Sequence, residues 1–169
     1  MVFVVKVDVI LDALLVASLE NHVPGAVGGV AGAPHGRFAE FPSVPAEGPL
    51  RDLCMAEEIG VITYYSLAQG FLTGKYRGEA DLGQSPRGGG VKAYLNPRGL
   101  RILAALDEVA ARRGVEPAAV ALAWLVARPG VTAPIASATS LAQLEDLVRA
   151  ATLELSGEDV AALDRASAP

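Results

Sequence analysis

The sequence predicts an α/β fold in which helices pack against a parallel sheet. Residues 61–65, Val-Ile-Thr-Tyr-Tyr, form a β-branched and aromatic run after Gly60 that is typical of a buried strand. Residues 131–136, Val-Thr-Ala-Pro-Ile-Ala, predict a second, shorter strand. Helical patterns precede and follow each run, and this order of elements indicates βα units around a parallel sheet.

Four of the helices are marked by periodicity and by their ends. Residues 49–58 carry apolar side chains at helical spacing, and Gly60 ends the pattern. Residues 100–113 combine one apolar stripe with two terminal arginines, followed by Gly114. Capping boxes at Ser140 and Ser156, completed by Gln143 and Asp159, predict two further helices.

Two prolines refine this pattern. Pro117 predicts the first turn of another helix, which ends near Arg128. Pro134 would cost a ladder hydrogen bond in a central strand, so it predicts the end of a strand or an edge strand. Between the first strand and the helix at residue 100 the chain is polar and glycine-rich, with three glycines at 88–90, which indicates either a functional loop or a disordered one.

The first 46 residues differ in composition from the rest. Residues 1–19 are strongly apolar, but Lys6 and two aspartates interrupt the run. This pattern favours a strand, with a secretory signal or a membrane insertion as the alternative. Residues 21–50 contain six glycines and five prolines and predict a flexible linker.

Composition excludes several classes of protein. The chain of 169 residues has a formal net charge of -5 and no dense basic cluster, so we expect no nucleic-acid partner. Its one cysteine, Cys54, forms no internal disulfide, which indicates a reducing, cytoplasmic compartment. His22 and His35 lie in linker-like sequence, and we expect no metal site. A complete (β/α)8 barrel needs about 250 residues, so this length would hold only part of one.

Several motifs then resemble one family in the same order along the chain. Residues 64–76, Tyr-Tyr-Ser-Leu-Ala-Gln-Gly-Phe-Leu-Thr-Gly-Lys-Tyr, resemble the Y-S-P-L-x-x-G-x-L-T-G-K-Y motif after the seventh barrel strand of aldo-keto reductases. Residues 118–125 are similar to the P-A-Q-V-A-L-A-W-L helix of that family. Further similarities to its last strand, to its G-A-R-x-x-x-Q-L segment and to its terminal helix lie at residues 130–135, 137–144 and 155–163.

The resemblance implies a fold and an activity. It covers residues 47–169 and implies a partial (β/α)8 TIM barrel, the C-terminal half of an NAD(P)H-dependent oxidoreductase barrel. Residues 1–46 form a separate unit, an unmatched apolar strand followed by the Gly/Pro-rich linker. The family reduces carbonyl compounds with NADP(H). The basic residue often found near Thr139 is missing here, so NAD is the alternative cofactor.

The resemblance also implies which residues bind the nicotinamide cofactor. Tyr64 lies where the family places an aromatic ring against the nicotinamide, while Lys75 and Arg87 would supply positive charge to the phosphates. The loop that wraps the pyrophosphate corresponds to Tyr65, Ser66, Leu67, Ala68 and Gln69. The adenosine-phosphate side, at a helix N-terminus with unpaired N–H groups, corresponds to Ser137, Thr139, Gln143 and Asp146.

Some of these residues have structural alternatives. Tyr64 could be a core aromatic, and Lys75 and Arg87 could be solvated loop residues. We assign Trp124 to core packing. Residues 70–75 superficially resemble a phosphate-binding P-loop, but the spacing is one residue short and an aromatic residue follows the lysine, so we discard that interpretation.

The catalytic Asp-Tyr-Lys-His tetrad of the family comes from the first half of the barrel, ahead of the resemblance. There the tyrosine protonates the carbonyl oxygen while the nicotinamide delivers hydride. Residues 1–46 contain no matching segment, so we assign no catalytic residue.

Three hypotheses follow from this. The chain is a truncated reductase, or a non-catalytic nucleotide- or partner-binding module of reductase ancestry. In the third hypothesis, another chain supplies the missing half, and only then is a carbonyl substrate bound. We expect no membrane partner, and we expect self-association through open sheet edges because two or three strands cannot close a barrel.

Overall fold

The computed structural model describes residues 2–8, 16–18, 44–45, 49–57 and 60–168. Its strands are β1 (Val2–Asp8), β2 (Val16–Ser18), β3 (Val44–Pro45), β4 (Gly60–Tyr64) and β5 (Val131–Pro134). They form one sheet in the order β3-β2-β1-β4-β5. The neighbours β1, β4 and β5 are parallel, whereas β2 and β3 join by antiparallel pairing. The sheet is therefore mixed, and its parallel part, β1, β4 and β5 with the helices around it, agrees with the predicted α/β class.

The N-terminal apolar run enters this sheet. Its first residues form β1, as the alternation predicts, and Val2 to Lys6 pair in parallel register with the five residues of β4. Of the predicted linker, residues 21–43 and 46–48 lie outside the described part of the chain. His22 and His35 are among them.

The helices lie close to their predicted places. They are α1 (Pro49–Ala56), α2 (Gly88–Val91), α3 (Pro97–Arg113), α4 (Pro117–Val126), α5 (Leu141–Thr152) and α6 (Gly157–Ser167). The periodicity places the start of α3 three residues too late. The helix begins at Pro97 because Asn96 caps it, with Asn96 Oδ1 accepting a hydrogen bond from the Gly99 N–H at 2.9 Å. Its left-handed end at Gly114 is as predicted.

The core lies mainly under α3 and α4. Leucines 103 and 106 of α3 and all residues from 119 to 125 in α4 are buried, because α4 is apolar on every face. Trp124 is 7% exposed, which confirms its assignment to the core. Its indole N–H donates to Asp164 Oδ1 of α6 at 2.8 Å, and Arg128 stacks on the ring at 4.4 Å from the centroid.

Strand β5 is the terminal strand of the described sheet, and Pro134 is its last residue. The missing N–H of the proline therefore costs nothing in the ladder, as the sequence predicts. Of the helices in the described ranges, none has the length and apolar character that crossing a bilayer requires.

Candidate functional site

The candidate site lies where β4 and β5 end. The two strands are parallel neighbours, with Thr63 opposite Pro134, and the Ile135 N–H donates to the Thr63 carbonyl at 2.7 Å. The segments that follow them therefore leave the same edge of the sheet, where ligand sites of parallel α/β folds occur. The structure thus places residues 65–69 and residues 137–143, the two predicted cofactor segments, at one edge.

The backbone just after β4 is unusual. Tyr65, Ala68 and Gln69 have φ values of 59°, 47° and 58°, and Gly70 continues in the left-handed region at 95°. Left-handed backbone costs a residue with a Cβ roughly 1–2 kcal/mol. Three such residues within five positions indicate backbone strain that contacts with the rest of the protein must stabilise. Strain of this kind clusters at functional sites.

Contacts below the loop hold that shape. Ser66 is 1% exposed, and its hydroxyl donates to the Thr63 carbonyl at 3.0 Å. The Ala68 N–H donates to the Tyr65 carbonyl at 2.8 Å. Fully buried Phe71 and Leu72 then anchor the segment in the core. The hydroxyl of Ser66 therefore points into the protein.

The backbone of the same loop also contains two donors that matter for a ligand. Among the described residues, the N–H groups of Ser66 and Leu67 have no hydrogen-bond acceptor. Successive free N–H groups next to left-handed backbone form a concave donor set that suits an anion. The residues present therefore fit a phosphate group through backbone donors.

The side chain of Lys75 lies beside this loop. Its Nζ lies 5.0 Å from the centroid of the Tyr76 ring, a cation–π distance. A Cβ built on Gly70 would lie 3.3 Å from Lys75 Cε and 3.5 Å from Nζ. The ammonium group therefore lies next to the left-handed segment.

The long loop that follows is ordered in the structure, with 3-10 turns at Glu79–Gln84 and Lys92–Tyr94 on either side of α2. The hydroxyls of Tyr76 and Ser85 lie 2.6 Å apart. The guanidinium of Arg77 pairs with Asp107 of α3 through two bonds of 2.7 and 2.8 Å. The disordered alternative is therefore not what the structure shows, and a functional role for this loop stays a prediction.

An acidic turn starts this long loop. Asp81 Oδ2 accepts hydrogen bonds from the N–H groups of Arg77 and Gly78, at 2.8 and 3.0 Å. These bonds, that from Arg77 foremost, lower the pKa of the Asp81 carboxyl despite its desolvation. The carboxylate therefore keeps its charge, and with it these hydrogen bonds, to a lower pH than an ordinary aspartate would.

The remaining residues of the first segment are distributed as follows. Gln69 lies against Gly90 of α2, and Leu67 packs against the core. Arg87 is exposed at the residue preceding α2. Tyr64 is the last residue of β4, and its side chain lies outside the described part of the chain. Gly90 was not singled out from the sequence, although the run of three glycines at 88–90 is a visible signal.

The second segment surrounds the start of α5. Ser140 Oγ accepts a hydrogen bond from the Gln143 N–H at 3.3 Å, which confirms the predicted cap. The Gln143 side chain does not complete the box on Ser140. Its Oε1 instead accepts from the N–H and the hydroxyl of Thr139, at 2.7 and 3.0 Å, because two donors on one residue are available there. Ser137 is exposed and Asp146 half-buried.

Comparisons with known proteins agree in matching this chain to oxidoreductases. The sequence model described as "Aldo/keto reductase family" matches residues 43–168. An uncharacterized oxidoreductase of Mycobacterium tuberculosis is 46% identical over 115 residues, which are 63% of this chain and 33% of the relative. The L-glyceraldehyde 3-phosphate reductase of Escherichia coli K12 is 34% identical over 123 residues, 69% of this chain and 36% of the relative. The chain thus spans about a third of the length of these curated relatives.

Proposed function

The chain belongs to the aldo/keto reductase family, and from this premise we propose that residues 47–169 are the C-terminal half of a (β/α)8 barrel that binds NADP(H). Parallel β4 and β5, separated by helices and both ending at the candidate site, support this placement. The described strands by themselves do not close a barrel. Residues 1–46 lie outside the resemblance at 47–169, although their strands β1, β2 and β3 belong to the same sheet as β4 and β5.

The loop after β4 carries the proposal. Its left-handed backbone and the free N–H groups of Ser66 and Leu67 suit the pyrophosphate, and Lys75 adds positive charge beside them. Ser66 would act through its N–H, since its hydroxyl is bonded to Thr63. When bound, the reduced nicotinamide would supply a hydride to a carbonyl carbon. Tyr64, at the end of β4, would orient the nicotinamide ring.

The adenosine end would lie at the start of α5. The helix N-terminus presents N–H groups and a partial positive charge, with Thr139 and Gln143 bonded to each other beside it. Ser137 and Asp146 complete this side of the proposed site. Since no arginine or lysine stands near Thr139 in the sequence, selection of NADP over NAD would be weak.

We assign no catalytic residue to these 169 residues. Reduction of a carbonyl would need an Asp-Tyr-Lys-His tetrad from a barrel half that residues 47–169 do not contain, and a carbonyl substrate would bind only when that half is supplied. The Escherichia coli relative is named for the reduction of L-glyceraldehyde 3-phosphate, which supports a carbonyl as substrate class. The alternative is a module that binds the nucleotide without catalysis. In its favour, the chain has the proposed cofactor loop after β4 while no catalytic residue is assigned to it.

Titration of the purified chain with NADPH, followed by cofactor fluorescence, tests the binding proposal. Lys75→Ala should weaken binding about tenfold, which corresponds to about 1.4 kcal/mol. Lys92→Ala is the matched control, because Lys92 lies in the same loop but pairs with Glu79 at 3.2 Å. Absence of binding at millimolar NADPH, or equal effects of the two variants, would contradict the proposal.

A second measurement separates the two candidate functions. If the catalytic groups lie elsewhere, the chain should bind NADPH without oxidising it when an aldehyde is added. Oxidation by the chain alone, at a rate that depends on the aldehyde, would refute the assignment of no catalytic residue. Binding that is unchanged when a complementary barrel half is added would favour the non-catalytic module.

We also propose that two copies associate through the outer edge of β5. Within the described sheet β5 pairs only with β4, so its other edge has unpaired backbone groups. The following helix, α5, exposes an apolar row of Leu141, Leu144 and Val148, which are 80%, 49% and 60% exposed. Sedimentation should show a dimer or larger species that dissociates on dilution. A monodisperse monomer at all concentrations would contradict this.

A further inference from the structure

We propose that Gly90 is a positioning residue for the cofactor loop, because its missing side chain lets α2 lie against Gln69. This inference rests on the proposed function and adds a residue that neither the sequence motifs nor the family resemblance single out. The effect would be to fix the Gln69 carboxamide, and Arg87 with it, beside the pyrophosphate.

The contact between the two residues is close. A Cβ built on Gly90 would lie 2.2 Å from Gln69 Oε1 and 3.0 Å from both Cδ and Nε2. The backbone of Gly90 is not in the left-handed region, so its conformation does not require glycine. What a Cβ at this position would disturb is the approach of the Gln69 side chain.

The two preceding residues, Gly88 and Gly89, are also glycines. The space around a Cβ explains the glycine at 88 but not the one at 89. A Cβ on Gly88 would lie 1.7 Å from the Leu82 carbonyl oxygen, so Gly88 lets the long loop fold onto itself. A Cβ on Gly89 would have no heavy atom within 4 Å. Of this run, only Gly90 faces the loop after β4, and Gly89 is an internal control in the same helix.

The contact holds the Gln69 carboxamide and sets where the backbone of Arg87 lies. Gln69 has left-handed backbone, and its carboxamide makes no hydrogen bond within the described residues, so packing on α2 is what holds it. The Gly90 N–H donates to the Arg87 carbonyl at 3.1 Å. Arg87 therefore lies one helical turn from the contact, with its side chain exposed and in no ion pair of the described part.

The test compares Gly90→Ala with Gly89→Ala. In Gly90→Ala the methyl group meets the flexible end of Gln69, so the side chain moves and the fold is retained. We expect a melting temperature close to wild type and a Kd for NADPH raised about tenfold, equivalent to about 1.4 kcal/mol. Gly89→Ala should change neither. Binding of adenosine 2′-monophosphate, which carries neither phosphate of the pyrophosphate and would occupy only the α5 side, should be unaffected by both.

A double variant shows whether Gly90 acts through Gln69. In a Gln69→Ala background, Gly90→Ala should cause no further loss of NADPH affinity, because the displaced side chain is gone. The same tenfold loss in both backgrounds, or an equal loss in Gly89→Ala, would overturn the inference while leaving the proposed function intact. Wild-type chain that binds no NADPH would overturn both.

A binding-independent readout follows the contact itself. The side-chain amide resonance of Gln69 should shift in Gly90→Ala and stay in place in Gly89→Ala. An unshifted resonance in Gly90→Ala would overturn the inference whatever the cofactor affinity. A shifted resonance together with unchanged NADPH affinity would overturn the positioning role.

Discussion

The guanidinium of Arg112 donates a hydrogen bond to Asp159 Oδ1 at 2.9 Å and so joins the end of α3 to the start of α6. Asp159 is 2% exposed and also accepts from Arg113 through its other oxygen. The same carboxylate closes the capping box with Ser156. Burial raises the pKa of the Asp159 carboxyl, but these hydrogen bonds outweigh it and hold the pKa well below its ordinary value of 3.8.

This arrangement predicts an acid-sensitive contribution to stability. Because the pKa of Asp159 is lower in the folded chain than in the unfolded one, the contribution is complete above pH 4 or so and is lost as the pH falls below the ordinary value of 3.8. Asp159→Asn should lower the free energy of unfolding by roughly 1.5–3 kcal/mol at pH 7. It should also lose less stability than wild type on acidification, as measured by urea unfolding at pH 7 and pH 3.

Asp107→Asn is the control for that experiment. Asp107 pairs with Arg77 at similar distances, but both side chains are over 40% exposed. An exposed pair contributes roughly 0–1 kcal/mol. Equal losses for the two variants would contradict the distinction between the buried and the exposed carboxylate.

Gly88→Ala should disturb the long loop more than the same substitution at Gly89 or Gly90. The new methyl group would meet the Leu82 carbonyl, which is backbone and cannot move aside cheaply. We expect a loss of about 1–3 kcal/mol in the free energy of unfolding, or local opening seen as faster amide exchange between residues 79 and 94. Wild-type exchange and stability in Gly88→Ala would show that this close approach is absent in solution.

Ser66→Ala should affect stability and spare cofactor affinity. Its buried hydroxyl bonds the Thr63 carbonyl, so its removal should cost about 1–3 kcal/mol, measured by urea unfolding. The N–H proposed to face the pyrophosphate remains, and buried Phe71 and Leu72 still anchor the loop, so the Kd for NADPH should stay within about twofold, or 0.4 kcal/mol. A large loss of affinity at unchanged stability would instead place the hydroxyl on the cofactor.

Thr139→Arg should increase selectivity for NADPH over NADH. The variant places a guanidinium on the adenosine side of the proposed site, where a 2′-phosphate offers a bidentate partner. We expect the ratio of the two dissociation constants to rise about tenfold, or 1.4 kcal/mol. Thr152→Arg, at the exposed last residue of α5, is the matched control that adds the charge elsewhere. An unchanged ratio in Thr139→Arg would contradict the assignment.

The order of elements from residue 49 onward could be predicted from sequence because local chemistry sets it. The β-branched run before Tyr65, the caps at Ser140 and Ser156, and Gly114 each have one dominant structural meaning. The N-terminal run was also predicted as a strand. Its pairing with β4 was not predictable, since strand neighbours are chosen by long-range contacts that leave no mark on local periodicity.

Residue types were more predictable at the candidate site than side-chain directions. The loop at 65–69 could be placed after a strand, but Ser66 Oγ points inward and Gln143 Oε1 turns to Thr139, because local acceptors and donors decide between near-equal rotamers. The left-handed residues at 65, 68 and 69 carry no glycine signal. Gly90 stood in a run of three equivalent-looking glycines whose differences exist only in tertiary contacts.

The parallel pairing of β4 with β5 has a thermodynamic consequence. The segments that leave these strands are about seventy residues apart in sequence, so a dinucleotide bound across both would cross-link distant parts of the chain. An unfolded chain offers no such pair of segments, and the ligand would bind the folded state alone. At a free concentration one hundred times its Kd, the dinucleotide would add about 2.7 kcal/mol to the free energy of unfolding. The melting temperature would therefore depend on the concentration of nucleotide.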